Sequence, residues 1–166
     1  MESLLRSMKE TPVSIGFMKR RVPPGVKVLN YTRLTGSRKD LFKSGKPVIV
    51  LIPREGSDEG HFVALVPQKR SIEYFSSLGN SPQKELSMLE EPENLMMRIL
   101  GSNFTYNRVQ LQSGKYNIND CAQFCLARVI LHHMKLREFL TLFRKRMLRN
   151  ADDVVALMSL LHFVDK

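Results

Sequence analysis

A thiol at the start of a helix is the group in this chain best suited to nucleophilic chemistry. In Asn117-Ile118-Asn119-Asp120-Cys121-Ala122-Gln123-Phe124-Cys125-Leu126-Ala127-Arg128-Val129-Ile130 a polar turn runs into an apolar-rich helix, with Cys121 in its first turn. Asn119 or Asp120 can serve as N-cap, because either side chain offers an oxygen to the orphan backbone N–H groups. A cysteine there lies at the positive end of the helix dipole, which favours the thiolate. Cys125, one turn further on, reads as a packing residue. Structural burial is the common fate of a cysteine, so Cys121 becomes a candidate nucleophile only if a base can reach it.

The four histidines can be sorted by geometry. His132 lies eleven residues beyond Cys121 on the same helix. At ~1.5 Å per residue that is about 16 Å along the axis, too far for a hydrogen bond. His133 is excluded in the same way, and His162 sits near the end of an amphipathic C-terminal helix, suited to packing or surface. His61 opens a strand just after a polar, glycine-flanked loop, where a side chain can face a cleft, and it is the base left by elimination.

The elements that must position this pair are legible in outline. Residues 1–10 fit a short amphipathic helix, and residues 11–36, broken by Pro12 and Pro23-Pro24-Gly25, read as loop with short extended pieces. A brief helix is expected around Ser37–Lys43. The β-branched run 47–53 fits a central strand buried on both faces. Strands at 61–66 and 71–76 follow, joined by short polar connections into an antiparallel meander. Gln83–Gly101 reads as helix interrupted near Pro92, with Leu86, Leu89, Leu95, Met96, Ile99 and Leu100 facing the core. Phe104–Gln112 reads as extended, with Val109 and Leu111 on one side. After the Cys121 helix, 136–149 and 151–163 are helical, the last capped by Asn150 with Asp152 and Asp153 in its first turn. The expected class is α+β: one domain over 1–166, with a central, mostly antiparallel sheet flanked by helices.

Composition narrows the field. Hydrophobic residues make up 43% and charged residues 25%, the balance of a globular chain. No apolar run approaches the ~20 residues that span a bilayer, so no membrane partner is expected. The N-terminal Met1–Glu10 lacks the apolar stretch of a signal peptide, which points to residence inside a cell rather than secretion. Two cysteines four residues apart on one helix suit a reducing compartment, and no Cys/His set has zinc-site spacing. With 26 Lys and Arg against 16 Asp and Glu, the net charge is +10. Basic clusters occur at Lys19-Arg20-Arg21, Lys69-Arg70 and Arg144-Lys145-Arg146 with Arg149. Such an excess points to DNA or another polyanion as partner, with a solvated basic surface as the alternative.

The order of the short motifs adds more than any one of them. Gly60-His61-Phe62-Val63, Glu73-Tyr74-Phe75-Ser76-Ser77-Leu78-Gly79, Leu111-Gln112 and Cys121-Ala122-Gln123-Phe124-Cys125 follow one another, with 60 positions from His61 to Cys121. This series resembles the adenovirus-protease-like cysteine peptidases. That clan includes the SUMO-specific proteases, and the pattern is nearest to the proteases of Maverick/Polinton elements and virophages. Its typical run is Gly-His-Trp, Phe-Asp-Ser-x-Gly, a Gln, then Cys-Gly-x-Phe-Cys at a helix start. The resemblance covers roughly residues 45–130. It implies a papain-like cysteine protease fold in the adenovirus/SUMO-protease chain order, with Cys121 as nucleophile and His61 as general base and acid. Gln112, with Gln110 as competitor, would donate to the oxyanion beside the Cys121 backbone N–H. Neither a metal nor an organic cofactor is implied.

Three positions depart from the clan. Phe62 replaces Trp, and Ala122 replaces Gly after the nucleophile. Ser76 stands where an Asp, Glu or Asn orients the histidine; a hydroxyl can accept from imidazole but brings no charge to stabilise imidazolium. Ser77, Asp58 or Glu59 are the alternatives for that role, and Ser76→Asp is expected to preserve or raise activity if position 76 orients the base. The leading expectation is a viral or virus-like-element thiol endopeptidase that cleaves precursor or capsid proteins at glycine-containing sites. It would act in the host cytoplasm or nucleus, or in the virion. An isopeptidase acting on ubiquitin-like modifiers is the alternative on the same fold. A catalytically silent, basic nucleic-acid-binding protein is the alternative of another class.

Overall fold

The β-branched run Val48–Pro53 becomes β2, the strand on which the sheet is assembled. The computed structural model describes residues 13–54, 60–113, 120–143, 151, 152 and 154–156. Its five-stranded sheet has the order β1 (Lys27–Asn30), β2, β3 (Gly60–Pro67), β4 (Ile72–Phe75), β5 (Phe104–Tyr106). Helices α1 (Ile15–Arg21), α2 (Arg38–Leu41), α3 (Pro82–Met88), α4 (Asn94–Leu100), α5 (Cys121–Ile130) and α6 (Leu136–Thr141) flank it, giving an α+β chain. The central strands β2, β3 and β4 form the expected antiparallel meander, whereas β1 and β5 join in parallel, so the sheet is mixed rather than mostly antiparallel. The physical reason is connection length. A parallel neighbour needs a crossover of a dozen or so residues, and the segments carrying α2, and α3 with α4, provide it.

Strand alternation sorts the apolar side chains into two layers. Ile49, Leu51, Phe62, Ala64 and Phe75 face Met18 of α1, Phe124 of α5 and Phe139 of α6. Val48, Val50, Ile52, Val63, Leu65, Ile72 and Tyr74 face Leu86 of α3, Met96, Ile99 and Leu100 of α4, and Leu41 of α2. Burying each large apolar side chain favours folding by about 1.5–3 kcal/mol. A one-residue slip of β2 or β3 would exchange the two faces of a strand, so the register is strongly specified.

Several expectations need correction. Ile15–Arg21 is helix rather than loop, started by the Ser14 hydroxyl accepting from the Phe17 N–H at 3.1 Å. Only Phe104–Tyr106 of the expected extended stretch is strand, and Val109 is exposed rather than aligned with Leu111 in the core. Past Tyr106 the chain leaves the sheet because the Asn107 side chain takes over the pairing, as described below. The brief helix near Ser37 is present with a capping box between Ser37 and Asp40, and the helix interrupted near Pro92 appears as α3 and α4. The helix at residues 1–10, the basic cluster 144–149, Asn150, Asp153 and His162 lie outside the described residues.

Arg128, fully buried, locks α5 to β4. Its Nε and Nη2 donate to the two carboxylate oxygens of Glu73 at 2.7 and 2.9 Å. The remaining N–H groups cap the Leu131 and Met134 carbonyls, and the guanidinium lies 5.2 Å from the Phe139 ring centroid. This bidentate geometry holds the helix that carries Cys121 at a fixed angle to β4, which ends at Phe75, one residue before Ser76.

Candidate active site

His61 enters the site because of Gly60. A Cβ at Gly60 would lie 2.1 Å from the Ile52 carbonyl oxygen, so only glycine lets β3 begin pairing there with Pro53 of β2. His61 has the parity of Val63 and Leu65, which face α3, whereas Phe62 and Ala64 face α5. The end of β3 is therefore where the two layers meet, and there the His61 imidazole is hydrogen-bonded to the Cys121 side chain at the N-terminus of α5.

Both groups are buried, with Cys121 7% and His61 8% exposed. Burial pushes the Cys121 thiol up. The hydrogen bond and charge of His61, with the N–H groups of Phe62 and Ala122 aimed at the sulfur, outweigh it and leave the thiol below its ordinary value. Burial depresses His61, but the hydrogen bonds and negative charges of Cys121 and Glu85 prevail and raise it to about 10. Each group thus stabilises the charged form of the other, the signature of a thiolate–imidazolium pair. Ala122 is accommodated in the first turn of α5, where its N–H serves the sulfur and its methyl is buried.

Behind the imidazole lies a carboxylate that the sequence pattern did not single out. His61 Nε2 is 3.1 Å from Glu85 Oε1 and 3.1 Å from Ser76 Oγ. Ser76 donates to Glu85 Oε1 at 2.9 Å and accepts from the Leu78 N–H at 3.2 Å, and the Tyr74 hydroxyl donates to Glu85 Oε2 at 2.9 Å. Burial raises Glu85, but the hydrogen bonds and charge of His61, then the hydroxyls of Ser76 and Tyr74, hold it below the usual carboxylate range. Ser76 therefore does contact the base, but as an uncharged bridge; the charge comes from α3. Asp58 and Glu59 lie outside the described residues, and Ser77 points elsewhere. With Nε2 held by Glu85 and Ser76, Nδ1 is the ring nitrogen left for the thiol. The missed signal was Glu85 itself: an acid within the buried Pro82, Glu85, Leu86 stripe of α3.

The two oxyanion candidates differ in burial and in hydrogen bonding. Gln112 is buried, and its side-chain oxygen accepts from the Ser77 hydroxyl at 2.7 Å. Gln110 is exposed, its side chain donating to the Gln112 carbonyl at 3.0 Å, so it supports Gln112 from outside. Asn107, also unanticipated, accepts from the Ser76 N–H at 2.9 Å and donates to the Ser76 and Val109 carbonyls at 2.6 and 3.0 Å. Its carboxamide continues the β4–β5 pairing one step beyond the strands and holds Ser76 in line.

One further group differs from expectation. Asp120 occupies the N-cap position of α5 without a capping hydrogen bond; its carboxyl, fully buried, is turned to Asp152. Burial first, and Asp152 second, push Asp120 up to about 9, so it holds a proton at neutral pH. Cys125 is buried and held well above its ordinary value by burial, as a packing thiol should be. His132 donates from Nδ1 to the Val129 carbonyl at 2.8 Å, closing the end of α5 away from Cys121. The chain matches no protein-family model and no curated protein.

Proposed function

We propose that this chain is a cysteine endopeptidase of viral or virus-like-element type, a single catalytic domain with the papain-like fold in the adenovirus/SUMO-protease chain order. The observation that carries the reading is the buried, hydrogen-bonded Cys121–His61 pair backed by the Glu85 carboxylate. The carboxylate answers the main objection to activity, the serine at position 76. The Cys121 thiolate attacks the scissile carbonyl, and the negative charge moves to the carbonyl oxygen. The Cys121 backbone N–H and the Gln112 carboxamide receive it. The His61 imidazolium protonates the departing amine, leaving a thioester; water then attacks with His61 as base, and the acid product departs. In this reading substrates are precursor or capsid proteins cleaved beside glycine, and the site of action is the infected cell or the virion.

The decisive experiment incubates wild type, Cys121→Ala and His61→Ala with candidate precursors from the same genome and with a peptide vinyl sulfone. Cleavage and covalent labelling by wild type alone are expected. Equal cleavage by all three sinks the enzymatic assignment, and absence of an adduct at Cys121 favours a silent binding protein. A DNA partner, suggested by the +10 charge, predicts binding that weakens steeply with salt. Lys19 and Arg20 are exposed on α1, while Lys69 and Arg70 lie in the turn at the opposite end of β3 from His61.

A further inference from the structure

The Ser76–Gly79 turn grips the segment that carries Gln112 at several points. The Gly79 N–H donates to the Ser76 carbonyl at 3.0 Å, closing the turn, and Gly79 has φ +70°. A Cβ there would lie 2.7 Å from the Val109 carbonyl carbon, so glycine is what permits the close approach. The Ser77 carbonyl accepts from the N–H groups of Leu111 and Gln112 at 2.8 and 3.0 Å. The Ser77 hydroxyl, fully buried, donates to Gln112 Oε1. Ser77 therefore holds Gln112 by its backbone and by the oxygen end of its carboxamide.

A carboxamide has an acceptor end and a donor end, and only the donor end can stabilise an oxyanion. If the group were free to turn over, its oxygen would face the developing negative charge and repel it. We infer that Ser77 is a positioning residue for the oxyanion donor: its hydroxyl fixes the Gln112 carboxamide with the oxygen held back and the NH2 end turned away from Ser77, for the substrate oxygen. The inference rests on the cysteine-peptidase reading. It also gives one four-residue turn two tasks, with Ser76 bridging the general base to Glu85 and Ser77 setting the oxyanion donor.

The test separates steps that develop an oxyanion from one that does not. Alkylation of Cys121 by iodoacetamide is a displacement at carbon with no oxyanion, whereas peptide hydrolysis and hemithioacetal formation with a peptide aldehyde both create a tetrahedral oxygen. Ser77→Ala should leave the alkylation rate and KM near wild type, lower kcat by about 10-fold or more, and weaken aldehyde binding by a similar factor. Ser77→Thr, which keeps the hydroxyl, should recover most of the loss. Ser77→Ala combined with Gln112→Ala should be no worse than Gln112→Ala alone. An unchanged kcat and aldehyde affinity in Ser77→Ala overturns the proposal. So does an equal fall in alkylation and hydrolysis, which marks general disruption, or fully multiplicative losses in the double variant. Should wild type alkylate at Cys121 but cleave no peptide, the peptidase reading fails; aldehyde affinity then still decides Ser77, with equal binding by wild type and Ser77→Ala refuting it.

Discussion

Replacing Glu85 by glutamine tests most directly how the imidazolium is held. The substitution is nearly isosteric: with its carbonyl oxygen toward Ser76 and His61, the new carboxamide turns its NH2 to the Tyr74 hydroxyl, which can accept as well as donate, so the main loss is one negative charge 3.1 Å from His61 Nε2. At that separation two unit charges interact by about 5 kcal/mol with an effective dielectric of ~20. Desolvation of the buried carboxylate offsets part of this. If half survives, the proton affinity of His61 falls by about two pKa units, at ~1.4 kcal/mol per unit. His61 stands at about 10, raised by Cys121 and Glu85 against the depressing effect of burial. Activity requires the protonated imidazole beside the thiolate, so loss of the carboxylate moves the alkaline limb of the pH profile toward neutral. The assay is kcat/KM for a peptide substrate across pH, together with the iodoacetamide rate, which reads the thiolate directly. Glu85→Gln should bring the alkaline limb down by about two units and, through that shift, lower kcat/KM by roughly 10- to 100-fold above about pH 9, with little change at neutral pH. An alkaline limb in the same place as wild type would refute the reasoning, because the charge behind His61 would then be immaterial.

Other substitutions probe the neighbouring contacts. Ser76→Asp alone places a second carboxylate against Glu85, whose Oε1 already lies 2.9 Å from the residue-76 hydroxyl; two such groups share a proton, and activity should fall rather than be preserved or rise. Combining Ser76→Asp with Glu85→Gln moves the charge to position 76 and should recover activity over Glu85→Gln alone in the same kcat/KM assay. Arg128→Ala leaves Glu73 buried without its partner and should cost about 3–5 kcal/mol in urea unfolding, whereas a Glu73→Gln and Arg128→Met pair should cost less. The Asp120 carboxyl, raised to about 9, keeps a proton in the folded state that the unfolded chain releases near its ordinary value of 3.8. Folded protein thus binds more protons across that window, and stability declines as pH rises from about 4 to about 9, then levels. Asp120→Asn in a Cys121→Ala background should flatten that decline in thermal unfolding; an identical slope with and without the substitution would show that the group is ionised in the fold.

Much of the site's near side is local in origin and could be read without coordinates. A β-branched run bounded by prolines specifies a buried strand wherever it packs, so β2 and its meander partners followed from residue type alone. Cys121 at the first turn of an apolar helix follows from the polar-to-apolar switch in the sequence, and helical rise by itself removes His132 and His133 from contention. The helix over Ile15–Arg21 escaped notice because its signal is short, a Ser14 cap followed by seven residues that bury only Met18. Asp120 was a sound cap by residue type, yet burial near Asp152 leaves its carboxyl oxygens without a hydrogen-bond partner among the described residues.

The sequence by itself thus determined the central strands and the helix that presents the thiol, because these depend on periodicity and residue type, and it offered His61 as the candidate base by elimination. Only the tertiary structure decided what stands behind the pair. Glu85 reaches His61 because α3 packs across β3 and β4, and Ser77 reaches Gln112 because a glycine lets two loops touch. Parallel addition of β1 and β5 was likewise settled by the crossovers. Such contacts join residues far apart in the chain, and no local pattern of residue types encodes which buried acid will face which base.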